Sequence, residues 1–201
     1  MAAVARRTAI ERDVWPALAE AGFELRAPHG AWRHWHGGVD AVHVLWERDD
    51  GFLLVAGVQF DAVPHRQRLR SGRAAPRVDE LHVWRRYAPA PAGGDAVDRD
   101  LWLVNREAGA LHGDLRAKAR RAAQSLAVLH DPARALAELG RRTRWEPRPA
   151  TAAWLEVTGY LAASAGAFDV ARPRLQRLLH ELDGEQRRAQ RVRSTLALLP
   201  G

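Results

Sequence analysis

Three histidines, His34, His36 and His43, follow closely on Trp32 and Arg33 near the start of the chain. Three imidazoles on one face of a sheet could bind zinc or another borderline metal. Gly37 and Gly38 lie among them, and a Gly-Gly pair accepts the positive φ that tight hairpin turns demand. A turn at those two glycines pairs His36 with Val39 and sets His43 opposite Trp32. Side chains alternate along a strand, so Trp32, His34, His36 and His43 would share one face. In that register His34 and His43 are not directly opposed, and no Asp or Glu joins them. The set is therefore incomplete for a metal, and no cofactor is expected. The opposite face carries Trp35, Val42, Val44 and Trp46, which makes it the expected core face. The C-terminal helices are expected to cover the histidine face. Left open, Trp32 and Arg33 beside the histidines would suit stacking on bases or holding a partner.

A second group is basic. Arg66, Arg68, Arg70, Arg73 and Arg77 crowd a short polar stretch that could grip phosphates. No glycine-rich phosphate loop accompanies them. The 201-residue chain has a net charge of +7 and a pI near 11.1. That balance suits nucleic acid or another acidic partner. Yet Lys118 is the single lysine among 31 basic residues, a ratio that itself points to a GC-rich genome. Further basic positions are Arg116, Arg120 and Arg121 on one helix, and Arg141, Arg142, Arg144 and Arg148 around Trp145. Nucleophilic chemistry has little to build on. Ser71, Ser125, Ser164 and Ser194 stand in no Gly-x-Ser-x-Gly context. Asp95, Asp98 and Asp100 lack the glycine and terminal glutamate of a calcium loop. There is no cysteine, which excludes disulfides, thiolate zinc sites and cysteine nucleophiles.

The elements that position these residues are legible from periodicity. Apolar residues Val4, Ile10, Val14, Leu18 and Ala21 recur at helical spacing over 3–21, with a kink expected at Pro16 and a stop at Gly22. Thr8 with Glu11 could form a capping box. Strands are expected at 23–26, 31–36, 39–47, 52–60 and 81–87, with 101–104 a last strand or a helix entry. Tight turns between sequential strands favour an antiparallel meander. The second half is helical. Asp114 is expected to cap a helix with one apolar stripe, Leu115, Ala119, Ala122, Leu126 and Leu129. Asp131-Pro132 starts a short helix that Gly140 should end. Thr151 starts the next, which Gly166 ends. The last runs from Asp169 to Leu182, and Gly184 breaks it from a continuation over 185–199.

Two stretches carry resemblances. Val14-Trp15-Pro16-Ala17-Leu18-Ala19-Glu20-Ala21-Gly22-Phe23, then Trp32-Arg33, then Val55-Ala56-Gly57-Val58-Gln59 resemble an uncharacterised bacterial family, domain of unknown function 4304. The resemblance covers roughly the first 105 residues and carries over no activity or catalytic residue. Gly159, Gly166, Phe168 and Ala171, with Leu175 and Leu178, are similar to one tetratricopeptide repeat, a helix-turn-helix unit. One copy is visible, and Trp154 lies one position from that repeat's tryptophan.

The expected fold class is α+β. An N-terminal helix packs on a four- to five-stranded antiparallel sheet over 1–105, and a helical region over 106–201 carries a repeat-like hairpin at 151–182. No apolar run reaches the roughly 18 residues of a membrane span, and no secretory signal opens the chain, so a cytoplasmic location without a membrane partner is expected. The leading expectation is a non-enzymatic interaction or regulatory protein that binds another protein. A nucleic-acid-binding accessory protein and a metal-dependent hydrolase built on His34, His36 and His43 are the alternatives.

Overall fold

A computed structural model of the chain describes residues 8–25, 30–46, 51–64, 81–87, 102–103, 108–143 and 151–200. It is an α+β fold, with a helical start, an antiparallel sheet and a helical second half. Helix α1, a π-helical turn at Ile10–Val14, runs directly into α2, Trp15–Glu20. Pro16 explains the widened turn. It has no N–H for the carbonyl of Arg12 and its ring would crowd that oxygen, so the backbone swells where a kink was expected. Thr8 is already helical. Ile10, Val14, Ala17 and Leu18 bury the inner side. Gly22 ends α2 with φ +81°, while Phe23 N–H donates to the Leu18 carbonyl and Gly22 N–H to that of Ala19. This is the double bond of a glycine-terminated helix, and it aims Phe23 into the core.

Six strands follow: β1 Glu24–Leu25, β2 Gly30–Trp35, β3 Gly38–Trp46, β4 Gly51–Phe60, β5 Val83–Tyr87 and β6 Trp102–Leu103. Strands β1 to β5 lie side by side in chain order, and β6 pairs antiparallel with the start of β4. Of the two alternatives expected for 101–104, a last strand or a helix entry, Trp102–Leu103 takes the strand. The β2–β3 hairpin forms, but with a different register. Trp35 pairs with Gly38, Arg33 with Asp40 and Trp32 with Ala41. The turn is therefore His36-Gly37, and neither Gly37 nor Gly38 takes a positive φ. The shift is two residues, an even number, so every side chain keeps its predicted face. Strand β4 is buried from Phe52 to Phe60. At Gly57 the neighbouring strand comes so close that an added Cβ would lie 2.7 Å from the Trp84 Cβ and 2.8 Å from Leu81 Cδ1.

Five helices complete the chain: α3 Ala108–Leu129, α4 Pro132–Thr143, α5 Ala152–Ser164, α6 Phe168–Glu181 and α7 Gln186–Leu198. Helix α3 begins six residues before Asp114, where Ala108, Ala110 and Leu111 are good helix formers. Its predicted stripe, Leu115, Ala119, Ala122, Leu126 and Leu129, is buried throughout. Asp131 caps α4, accepting from Ala133 N–H at 2.8 Å. That helix runs through Gly140 rather than ending there, since a glycine stops a helix only where the next turn needs left-handed backbone. Thr151 caps α5 by accepting from Trp154 N–H. Gly166 and Gly184 take positive φ at the two following breaks. Among the described residues no helix is long and apolar enough to cross a membrane.

The chain divides into two compact units. One holds the N-terminal helices, the sheet through Gln59 and α3 to Ala127. The other holds Val128 onward together with the segment that starts at Phe60. Helix α3 thus groups with the sheet, although the sequence suggested a boundary near residue 105.

Two measurements test this packing. Gly57→Ala is expected to destabilise the chain by about 1–3 kcal/mol through overpacking, read as a lower denaturant midpoint. Glu20 on α2 accepts from Arg116 at 2.7 Å and Arg120 at 2.8 Å on α3. The hydrogen bond from Arg120, aided by Arg116, holds its pKa below the usual carboxylate value. A lowered folded pKa stabilises above the unfolded pKa and is lost as pH falls through the folded one. The melting temperature of the wild type should therefore exceed that of Glu20→Gln near neutrality, and the gap should close on acidification below the usual carboxylate range.

Candidate functional site

The histidine hairpin is the place to begin. His34 and His36 are exposed, His34 at the end of β2 and His36 in the turn. His34 faces Val39, whereas His43 faces Gly30, which is four residues back along β2. At about 3.3 Å per residue that separates the two imidazoles by roughly 13 Å along the strand. His43 lies across Gly30, where an added Cβ would stand 3.1 Å from its Nδ1. The register thus does not bring the three imidazoles together. Among the described residues no group of three His, Cys, Asp or Glu side chains could hold a metal ion.

Trp32 is not an exposed stacking platform. It is 4% exposed, packed with Val39, Ala41 and Leu81, and Trp84 lies against that cluster. Leu81, just ahead of β5, packs on it where cover was expected from the C-terminal helices. On the opposite face Ala31, Val42 and Val44 are buried as expected, while Trp35 is half-buried with its ring folded over Gly37. The side chain of Trp46 lies outside the described residues. So do Arg66, Arg68, Arg70, Arg73 and Arg77, Arg144 and Arg148 with Trp145, and the Asp95, Asp98 and Asp100 group.

Arg33 has a role that its sequence context did not reveal. Its Nε and Nη2 donate to Asp40 Oδ2 at 3.1 and 2.6 Å. Its Nη1 donates to the Ala21 carbonyl at 2.8 Å, and Nη2 also reaches the Ala123 carbonyl at 3.4 Å. The guanidinium carbon lies 4.6 Å from the centre of the Phe23 ring. One planar fork thus joins β3, the end of α2 and the middle of α3. The Asp40 side chain is fully buried. Tyr87 and Ser125 hydroxyls add a second link between sheet and α3. The sign that could have exposed Asp40 is its place on the apolar face with Val42 and Val44. In the predicted register Arg33 faced Val42, so the two charges did not meet.

The second unit contains its own buried knot. Glu156 on α5 is buried, and Arg188 on α7 donates to its Oε2 at 2.7 Å. The same guanidinium reaches both carboxylate oxygens of Glu185, at 2.7 and 2.6 Å. Nearby, burial pushes up the Tyr160 hydroxyl pKa, partly offset by Thr195. A shallow, open cavity of about 350 Å³ runs along Gly184 to Arg188. One guanidinium thus serves two carboxylates, one buried and one exposed.

The Arg33 link makes an asymmetric prediction. Arg33→Ala leaves the Asp40 carboxylate buried without its cation and should cost about 3–5 kcal/mol. Asp40→Asn leaves a partly exposed guanidinium with its carbonyl partners and should cost less, read as the ordering of the two denaturation midpoints. No protein-family model, curated protein or solved structure matches this chain in sequence or fold.

Proposed function

We propose that this is a non-enzymatic interaction protein whose helices α5, α6 and α7 present the binding surface. The observation that carries the reading is the tight α5–α6 hairpin. An added Cβ at Gly159 would stand 2.8 Å from Leu175 Cδ2, so the missing side chain is what allows the two helices to approach. Ala171, Leu175 and Leu178 are buried behind it, and Gly166 turns the chain between the helices with φ +73°. Small residues at the crossing and a glycine at the turn are the features of repeat-like helical hairpins, which serve protein contacts by presenting rigid helix faces. Helix α7 continues the array. It packs on α6 and joins α5 through Arg188 and Glu156. A cytoplasmic setting belongs to the same proposal, since a cysteine-free chain needs no oxidising compartment.

The nucleic-acid alternative drew on the arginine content interleaved with Trp32, Trp84 and Trp145; Trp32 is buried and Arg33 is bound to Asp40, while Arg66, Arg68, Arg70, Arg73 and Trp145 lie outside the described residues. A metal-dependent hydrolase needs His34, His36 and His43 in one place, and the register separates them.

Site-specific photo-crosslinking in cells of the source organism tests the proposal. A photo-reactive residue placed at Arg177 or Gln190, both exposed on α6 and α7, is expected to yield a discrete protein adduct. The same residue at His34 is expected to yield none. Absence of a protein adduct from both helical positions would overturn the reading.

A further inference from the structure

The outward side of α7 has an unusual composition. Arg187, Arg191, Ser194 and Leu198 follow one another at steps of four, three and four, which places them on a single stripe. All four are exposed, as are Gln190 and Arg193 beside them. From Gln186 to Leu198 the helix has four arginines and no acidic residue. Arg188 turns inward to Glu156 and Glu185 and is only 16% exposed. Arg187, Arg191 and Arg193 form no ion pair with any described residue.

Leu198 is the second part of the feature. It is 84% exposed, against 46% for Leu25 and 45% for Val128, the other exposed large apolar side chains described. Its position is fixed. Arg172 on α6 donates through Nη2 to the Leu199 carbonyl at 3.1 Å and the Pro200 carbonyl at 2.7 Å. This clamp satisfies carbonyls that the helix end leaves open and places a cation at the negative end of its dipole. The last turn is therefore held, with its leucine pointing into water.

We propose that this stripe docks an acidic segment of another protein, with carboxylates over Arg187 and Arg191 and an apolar side chain against Leu198. The inference rests on the interaction reading above and names the chemistry of the partner. A phosphate backbone would satisfy the guanidinium groups but offers nothing to a fixed, bare leucine. An acidic, leucine-bearing segment satisfies both, and planar arginine forks bind carboxylates bidentately. From Arg187 to Leu198 the stripe is about 16 Å long, so two or three turns of a bound helix would cover it.

The test uses the purified full chain and three fluorescent probes: a peptide of repeating Glu-Leu-Glu-Glu, a polyglutamate of equal length, and a single-stranded DNA oligonucleotide. The Glu/Leu peptide is expected to bind best. Arg191→Glu should weaken it by about tenfold or more, through lost attraction and new repulsion. Leu198→Ser should weaken it by about fivefold and leave polyglutamate binding unchanged. Both positions are exposed, and unchanged melting curves would show that the variants fold. No peptide binding, an unchanged affinity in Leu198→Ser, or tighter binding of the oligonucleotide would overturn the inference. Protein adducts from Arg177 alongside any of those results would remove this docking stripe and leave the interaction reading standing.

Discussion

The first unit depends on one guanidinium. A carboxylate at Asp40 is fully buried on the sheet face that also carries Ala31, Val42 and Val44. Such a group is costly unless a cation and further hydrogen bonds meet it. Arg33 supplies both from the facing strand, and its remaining donors reach carbonyls on two helices. The pair fixes the hairpin register as much as it adds stability. A turn at Gly37-Gly38 would set Asp40 opposite Trp35 and Arg33 opposite Val42, so the turn falls at His36-Gly37 although Gly37-Gly38 offers the more permissive backbone. A lysine could neutralise the same charge but has no planar fork with which to reach three separate acceptors at once.

In the second unit steric closeness has the corresponding role. Gly159 removes a side chain where Leu175 must sit, and the hairpin closes around that contact. Charge then arranges what lies outside. Arg188 is drawn inward by two carboxylates, Arg172 is occupied by the end of α7, and the other arginines of α7 are left facing water. A single residue type thus serves as a buried link, a helix clamp and a solvent-facing donor, according to which acceptors lie within reach.

Much of the fold was legible because it follows from periodicity. The five-residue stripe of α3 is buried as a unit, and the two faces of the hairpin alternate as their spacing demands. The caps at Asp131 and Thr151 form because a side-chain oxygen next to free N–H groups is a local signal. What was not legible is non-local. The Arg33–Asp40 pair depends on a register that the turn residues alone did not determine. The covering of Trp32 by Leu81 comes from a segment about fifty residues away, and no pattern around Trp32 announces it. The candidate site suffered most, since His34, His36 and His43 share a predicted face without sharing a place. The exposed leucine of α7 was equally invisible, because the 3.6 period marks it as apolar without revealing that it stays exposed among the described residues.

Strand β4 carries a consequence for how this chain behaves when it is damaged. From Phe52 to Phe60 it is nine residues without a charge or a proline, rich in valine, leucine and phenylalanine, and hidden in the folded chain. Segments of that kind assemble with one another readily once they meet solvent. Neighbouring strands are what keep it apart from its copies, so a lesion that loosens the sheet would convert lost stability into precipitation.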